Sequence, residues 1–358
     1  MIEAIILVGG EGRRLRPLTD TRPKPMMPLV DRPFVAHQLD GLRRFGVTDV
    51  IFSCGYRPEA LEQHFGDGTG IGMRLRYVVD PEPLGTAGAV KNAEPLLRGD
   101  RTLVLNGDIL TDLDLAALLD HHVRVSAAGT LALTPVEDPS RYGLVRLHPD
   151  GTVAAFLEKP QPSELRDGKP FLINAGTYLL EREALDLIPD GAACSIERDI
   201  FPVLAAGGRL TGHPSDCYWL DIGTPESYLQ AHLDVLAGAV CTEAPVGDSY
   251  VGDGTVITEG AVVDRGSTVG RGGHVGAGAI VRGSVIGDGA EVGSGARIEG
   301  AILGAGVTVG DEAAILPGSV IGDGAVIAAG LELRDVTVAT GARVHESPTQ
   351  EGVRSGLA

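Results

Sequence analysis

The chain has 358 residues, 43% of them apolar, and a formal charge of −18. That length can bury one or two cores of ordinary size, while the excess of acid excludes broad binding to nucleic acid or to anionic membranes, so any phosphate site must be made by local cations. Four scattered cysteines without a C-x-x-C pair read as packing residues in a reducing, cytoplasmic setting, and no apolar run reaches the roughly 18 residues of a membrane span.

Taken in chain order, "EAIILVGG" (3–10) reads as a buried strand ending in glycine, "RPFVAHQLDGLRRFG" (32–46) as a helix closed by Gly46, "TDVIFSCG" (48–55) as a second strand, and "TLVLNGD" (102–108) as a later strand ending in an acid. This order predicts an α/β domain over residues 1–235, with a doubly wound, mostly parallel sheet whose ligands sit beyond the carboxyl ends of its strands. Residues 236–249, "LAGAVCTEAPVGDS", read as a linker. From about residue 250 an aliphatic residue recurs every six positions: Val251, Ile257, Val263, Val269, Val275 and Val281, then Ile286, Val292 and Ile298, then Leu303, Val309, Ile315, Ile321 and Ile327. The steps at 281–286 and 298–303 are each one residue short. A period of six, with small residues after most rungs, predicts a left-handed parallel β-helix over 250–340, four to five coils long. A polar tail follows at 341–358. The flat faces of such a helix predict assembly into a homo-oligomer.

Residues 6–25, "ILVGGEGRRLRPLTDTRPKP", combine flexibility, positive charge and stiffness directly behind the first strand. Gly9, Gly10 and Gly12 let backbone N–H groups approach an anion. A Walker loop would end in G-K-[ST], but Arg13 and Arg14 follow Gly12. A dinucleotide loop needs a third glycine where Leu15 stands and an acid where the second strand ends in Cys54-Gly55. What remains is a glycine loop in which Arg14 forks onto phosphate oxygens and Lys24, between Pro23 and Pro25, supplies a fixed point charge. Arg13, Arg16 and Arg22 stay open between phosphate contact and simple solvation.

This stretch resembles L-x-G-G-x-G-x-R-L-x-P-L-T-x-x-x-P-K-P, the signature of the sugar-phosphate nucleotidylyltransferases, in which threonine usually stands where this chain has Arg13. The resemblance continues in "EPLGTAG" (82–88), "LNGD" (105–108), "EDPSRYGLV" (137–145), "FLEKP" (156–160), "INAGTYLL" (173–180), "SIERDIFP" (195–202) and "YWLDIGTPESYL" (218–229). It implies transfer of a nucleotide from an NTP to a sugar 1-phosphate with release of pyrophosphate. A phosphate monoester is already a nucleophile, so the catalytic work is positioning and charge neutralisation. The resemblance assigns Arg14, Lys24, Asp108 and Asp221 to catalysis, with Asp108 and Asp221 as ligands of Mg²⁺, a cation that favours one or two carboxylates plus phosphate oxygens. It gives Leu7, Gly9, Gly10, Gly12, Arg13, Glu82, Gly85 and Thr86 to the nucleotide, and Gly143, Glu158, Lys159 and Asn174 to the sugar phosphate. Glu158 and Lys159 can serve together only if the chain turns after the strand, as Pro160 suggests. In "DPEPLGTAGA" the missing side chain of Gly85 would admit a base, and Asp80 or Glu82 would accept from the N1–H and N2–H₂ of guanine, which favours GTP. With the repeat included, the likeness implies mannose 1-phosphate as the sugar.

Other features carry blander readings. His121 and His122 end a helical stretch without a metal-ligand cluster, and Tyr218 and Trp219 read as core or pocket wall. Thymidylyl or uridylyl transfer to glucose 1-phosphate is one alternative. Another is a second, acyl-transferring activity, for which the repeat offers only His274, and a third is a regulatory subunit that binds a nucleotide-sugar without making it. Every residue given to chemistry precedes Gly238, so a chain ending there is expected to retain turnover.

Overall fold

The computed structural model describes residues 2–165 and 170–346. Two compact units interleave along the chain: one takes the residues up to Gly10 and Gln38–Trp219, the other Glu11–His37 and the residues from Leu220 onward. In chain order the strands are β1 (Ile2–Val8), β2 (Pro28–Leu29), β3 (Arg32–Pro33), β4 (Asp49–Cys54), β5 (Arg74–Val79), β6 (Arg101–Asn106), β7 (Ile109–Thr111), β8 (Gly129–Val136), β9 (Gly143–Leu147), β10 (Val153–Glu158), β11 (Phe171–Glu181) and β12 (Leu210–Pro214). The helices are α1 (Phe34–Arg44), α2 (Pro58–Phe65), α3 (Gly85–Ala93), α4 (Leu115–Val125), α5 (Arg182–Leu185), α6 (Phe201–Ala206) and α7 (Pro225–Leu236).

The first unit is a nine-stranded sheet with the path β10-β9-β11-β6-β1-β4-β5, and β8 joins it by pairing with β11 and β12. β1, β4, β5 and β6 pair in parallel, with Leu7 opposite Ser53 and Asn106. β1, β4 and β6 are buried almost throughout, as expected for strands covered on both faces of the sheet, whereas β5 at the edge is mostly half-buried or exposed. β11 runs antiparallel to β6, β8 and β9, and β10 runs antiparallel to β9. Only His148–Thr152 joins β9 to β10, too few residues for a parallel crossover. The core gathers Ile5, Ile51, Val104, Leu131, Tyr178, Leu180 and Phe201.

In the second unit the repeat folds into short parallel strands in three sheets of six, six and five, the arrangement of a left-handed β-helix. Val275, Val281, Ile298, Ile315 and Ile321 point inward and are fully buried. The ladder runs past the last rung counted in the sequence, with strands at Glu332–Leu333, Thr337–Val338 and Arg343–Val344. Both short steps fall at the same corner of the coil, where Gly283 and Gly300 turn with positive φ, and Asp335 does so at the third. Of the polar tail, only residues up to 346 are described; the rest lies outside the described residues.

Also in this unit, residues 28–33 form the small β2–β3 hairpin, and His232 of α7 is buried against it. Its Nε2–H donates to the Pro28 carbonyl (3.2 Å), while Nδ1 accepts from the Val30 N–H (3.4 Å) and the Thr268 hydroxyl (3.1 Å). These bonds define a neutral imidazole, and burial pushes its pKa down to about 3 from an ordinary 6.5. Between those values the unfolded chain binds a proton that the folded chain refuses, so stability falls as pH drops below 6.5, by about 1.4 kcal/mol per unit for this group. His232→Gln is therefore expected to lose about 1.4 kcal/mol less than the parent between pH 7.5 and 5.5 in chemical denaturation. Identical losses would show that this imidazole does not stay neutral on folding.

The cysteines are all free thiols. Cys54 and Cys194 are buried, and desolvation lifts the Cys54 thiol to about 12, so packing explains them. Cys241 is exposed and is not a packing residue. No helix among the described residues is long and apolar enough to cross a membrane.

Candidate active site

In the sheet unit, the carboxyl ends of β1 and β6 meet. The N–H of Gly107 donates to the Leu7 carbonyl (2.9 Å), and a Cβ on Gly107 would sit 2.6 Å from that oxygen, so only glycine fits. The turn Gly107-Asp108 thus lies against the strand that leads into the exposed Gly9 and Gly10, and Asp108 is half-buried there. Gln38 closes the turn from outside, its Nε2 donating to the carbonyls of Asn106 and Ile109 (2.9 Å each). Gln38 lies in no motif, so nothing in the sequence marks it.

α3 begins at Gly85, whose φ is +70° and whose Cβ would lie 2.6 Å from the Cys194 carbonyl oxygen. Close backbone approach therefore accounts for this glycine. Cys194 also accepts from the N–H groups of Ala87 (3.0 Å) and Gly88 (3.2 Å). The Thr86 hydroxyl donates to Glu197 (2.6 Å) and accepts from the Ile196 N–H (2.9 Å), so it fastens the helix to residues 194–197. Of the two acids considered for guanine, Asp80 accepts from the Asn92 amide (2.9 Å) and partial burial raises its pKa, while Glu82 is exposed.

The sugar-phosphate candidates converge in the same unit. β10 ends at Glu158, and Lys159 takes a left-handed conformation (φ 51°) with its N–H on the Tyr142 carbonyl (2.9 Å). The chain does turn there, and Lys159 Nζ comes back to 3.9 Å from Glu158 Oε1. A Cβ on Gly143 would meet the Phe156 ring at 2.4 Å and Glu158 Oε2 at 3.2 Å, which explains the glycine beneath the carboxylate. Burial first, then the negative charge of Glu197, raises the Glu158 pKa, while Lys159 and Arg198 oppose the shift. Asn174 lies where β11 slips register against β8, its Oδ1 accepting from the Gly176 N–H (3.2 Å). Trp219 Nε1 donates to the neighbouring Ala175 carbonyl (2.9 Å) and meets the Tyr142 ring edge-on at 5.3 Å. This joins Asn174, Tyr142 and Lys159 in one place and makes Trp219 its wall.

In the second unit, Gly12 (φ 65°) opens a tight turn, Arg13–Leu15. Its carbonyl accepts from the Thr19 hydroxyl (2.9 Å), and a Cβ would press on Thr19 at 3.0 Å and on the Lys24 side chain at 3.3 Å. Lys24 is buried between two prolines. Arg13 is exposed and paired with Glu11 (2.7 Å). Arg14 behaves differently: a Cβ on Gly223 would lie 2.7 Å from Arg14 Nη2 and 3.0 Å from Asp221 Oδ1. The guanidinium and the carboxylate share the space above this glycine. Gly223→Ala is expected to push both aside and lower turnover at least tenfold while leaving the melting temperature within a few degrees, as measured by pyrophosphate release and calorimetry. Normal turnover would mean that their placement is not critical.

Among the described residues no group of three or more His, Cys, Asp or Glu side chains is arranged to hold a metal. A divalent hard cation takes carboxylate oxygens, the donor type that Asp108 offers in the sheet unit and Asp221 in the second unit. His122 is buried between Thr130 (2.7 Å) and Glu181 (3.0 Å), with its pKa lowered chiefly by desolvation, so it is an internal hydrogen-bonding residue.

A Rossmann-like sheet whose strands β1 and β6 end in glycine turns, the second carrying an acid, has the fold of a nucleotidyl-transferring enzyme. The nucleotidyl transferase family model matches residues 3–238, and a second, described as the GMPPB C-terminal domain, matches residues 245–353. The chain belongs to the nucleotidyl transferase family, and it is a sugar-1-phosphate nucleotidylyltransferase. It is 41% identical over 262 residues to the mannose-1-phosphate guanylyltransferase of Mycobacterium tuberculosis, covering 72% of each chain, and 35% identical over 267 residues to the mannose-1-phosphate guanyltransferase of Saccharomyces cerevisiae, covering 71% of each. Among solved structures, HddC from Yersinia pseudotuberculosis matches with a TM-score of 0.56 and 28% identity over 64% of this chain and 98% of that one. The same protein complexed with GMP-PN matches with a TM-score of 0.54 and 27% identity, with the same coverage.

Proposed function

We propose that this enzyme makes GDP-mannose and pyrophosphate from mannose 1-phosphate and GTP, with Mg²⁺ as its cation. The observation that carries the choice of substrates is the likeness to guanylyltransferases acting on mannose 1-phosphate, across nearly three-quarters of both chains. The neighbour bound to GMP-PN supports the guanine. In this reading Arg14 and Lys24 hold the triphosphate, Lys159 holds the sugar phosphate and Glu158 its hydroxyls. The sugar phosphate oxygen attacks the α-phosphorus in line, and pyrophosphate leaves with its charge neutralised by Arg14. Asp108 and Asp221 would hold Mg²⁺, which supplies charge neutralisation at the phosphates when bound. Gly143 and Asn174 shape the sugar side, and Leu7, Gly9, Gly10, Gly12, Gly85 and Thr86 the nucleotide side, through backbone and packing.

A pyrophosphate-release screen of the common NTPs against mannose, glucose and N-acetylglucosamine 1-phosphates tests this. GTP with mannose 1-phosphate should give the highest kcat/KM, and preference for dTTP or UTP with glucose 1-phosphate would overturn it. A cytoplasmic setting belongs to the same reading, supported by the four free thiols. So does a homo-oligomer through the β-helix, whose first coil leaves Val251, Val256, Ile257 and Val262 exposed.

A further inference from the structure

The unit of residues 11–37 and 220–346 holds one feature that the chemistry above does not use. One corner of the β-helix carries Arg271, Asp288, Ala305, Asp323 and Thr340, each two residues beyond Val269, Ile286, Leu303, Ile321 and Val338. Those five rungs pair in register from coil to coil, so the corner residues stack in a column. The column meets the segment Pro17–Asp31. Arg271 Nη2 donates to the Asp31 carbonyl (3.3 Å), and the Thr340 hydroxyl donates to the Pro17 carbonyl (3.5 Å) and to Asp20 (3.3 Å). Between them, Asp323 Oδ2 accepts from the Thr21 hydroxyl (2.5 Å) and from Arg22 Nη2 (3.0 Å). The other oxygen, Oδ1, accepts from the Ala305 N–H (2.8 Å), so the carboxylate is itself fixed to the coil beneath. A cavity of about 50 Å³ lies behind this contact, lined by Leu18, Arg22, Tyr228, His232, Asp288 and Asp323 among others.

The Arg22–Asp323 pair is largely shielded, with side-chain exposures of 28% and 14%, so it is not a freely solvated ion pair of small value. Two residues beyond Arg22 stands Lys24, and Pro23 and Pro25 leave the intervening backbone little freedom. We propose that Asp323 is a positioning residue for nucleotidyl transfer: by fastening Thr21 and Arg22 to the β-helix, it sets the place of Lys24 in the glycine-loop segment. This rests on the reading that Lys24 serves the triphosphate.

Asp323→Asn retains an oxygen for the Ala305 N–H but turns an amino group toward two donors, so it breaks the loop contact selectively. In the full-length protein, kcat for pyrophosphate release should fall about tenfold with the KM for the sugar phosphate within about twofold, and amide exchange across residues 13–27 should quicken. Arg22→Gln should reproduce both effects, the double variant should add little to either, and Arg22→Lys should retain most of the rate. A folded Asp323→Asn protein with parental kcat and exchange overturns the proposal, as does a fall in kcat without faster exchange. Should Asp323→Asn fail to fold, Arg22→Gln applies the same criteria from the loop side. If the parent releases no pyrophosphate from GTP and mannose 1-phosphate, the functional reading fails separately; exchange across residues 13–27 then decides the anchoring, faster exchange supporting it and parental exchange overturning it.

Discussion

Replacing Arg14 by alanine is expected to lower kcat by about a hundredfold to a thousandfold, with only a modest rise in the KM for the sugar phosphate. Negative charge builds on the leaving pyrophosphate as the reaction proceeds, so a guanidinium that grips it contributes more in the transition state than in the bound substrate. Arg14 is exposed, and its Nη2 stands over Gly223 beside Asp221. It is therefore free to meet a ligand while its terminal group is already directed. Lysine at this position should recover only part of the loss, because one ammonium cannot reproduce a two-pronged contact. Lys159→Ala should behave in the opposite way, raising the KM for sugar phosphate strongly, since its contact is present throughout. The check is steady-state pyrophosphate release with each substrate varied in turn. An Arg14→Ala enzyme that matches the parent would remove the glycine loop from triphosphate binding.

The second large effect is expected at the carboxylates. Asp221→Asn and Asp108→Asn preserve shape and remove one charge each, and either should cut turnover more than a hundredfold with little change in melting temperature. Binding of Mn²⁺, followed by its paramagnetic effect on water relaxation, should weaken in both, which separates loss of a metal ligand from loss of an Arg14 neighbour. Near-normal turnover in either variant would exclude that aspartate from the mechanism.

The glycine loop, Arg14, Lys24 and both aspartates stand out as candidates in the sequence because each lies in a motif only a few residues long. The repeat is visible for a similar reason, since each coil restates the same demand for an inward aliphatic residue. The periodicity fades after Ile327 because the next coil, "LELRDVTVATGARV", shortens a corner and lacks glycine directly after its rungs. The antiparallel course of β9, β10 and β11 was missed because buried strands of either direction look alike, and only the shortness of the 148–152 link betrays it. Residues whose role depends on distant partners were not legible at all. Gln38 acts through carbonyls 68 and 71 residues away, and Asp323 meets Arg22 across 301 positions. A chain ending near Gly238 would keep every residue given to chemistry but would lack every corner residue to which Pro17–Asp31 is bonded.

The even stacking of the β-helix gives that corner the character of a ruler. Parallel strands lie about 4.8 Å apart, so the height of Asp323 above α7 is fixed by the number of coils between them. A coil can gain or lose one residue at the glycine corner without moving its rungs out of line, as the steps of five and six already show. Removing one whole coil would instead lower every later corner residue by one rung, bringing Thr340 to the level of Arg22 and replacing a carboxylate with a hydroxyl. Drift in corner length is then neutral for the loop, whereas coil number is a dimension the enzyme has to keep.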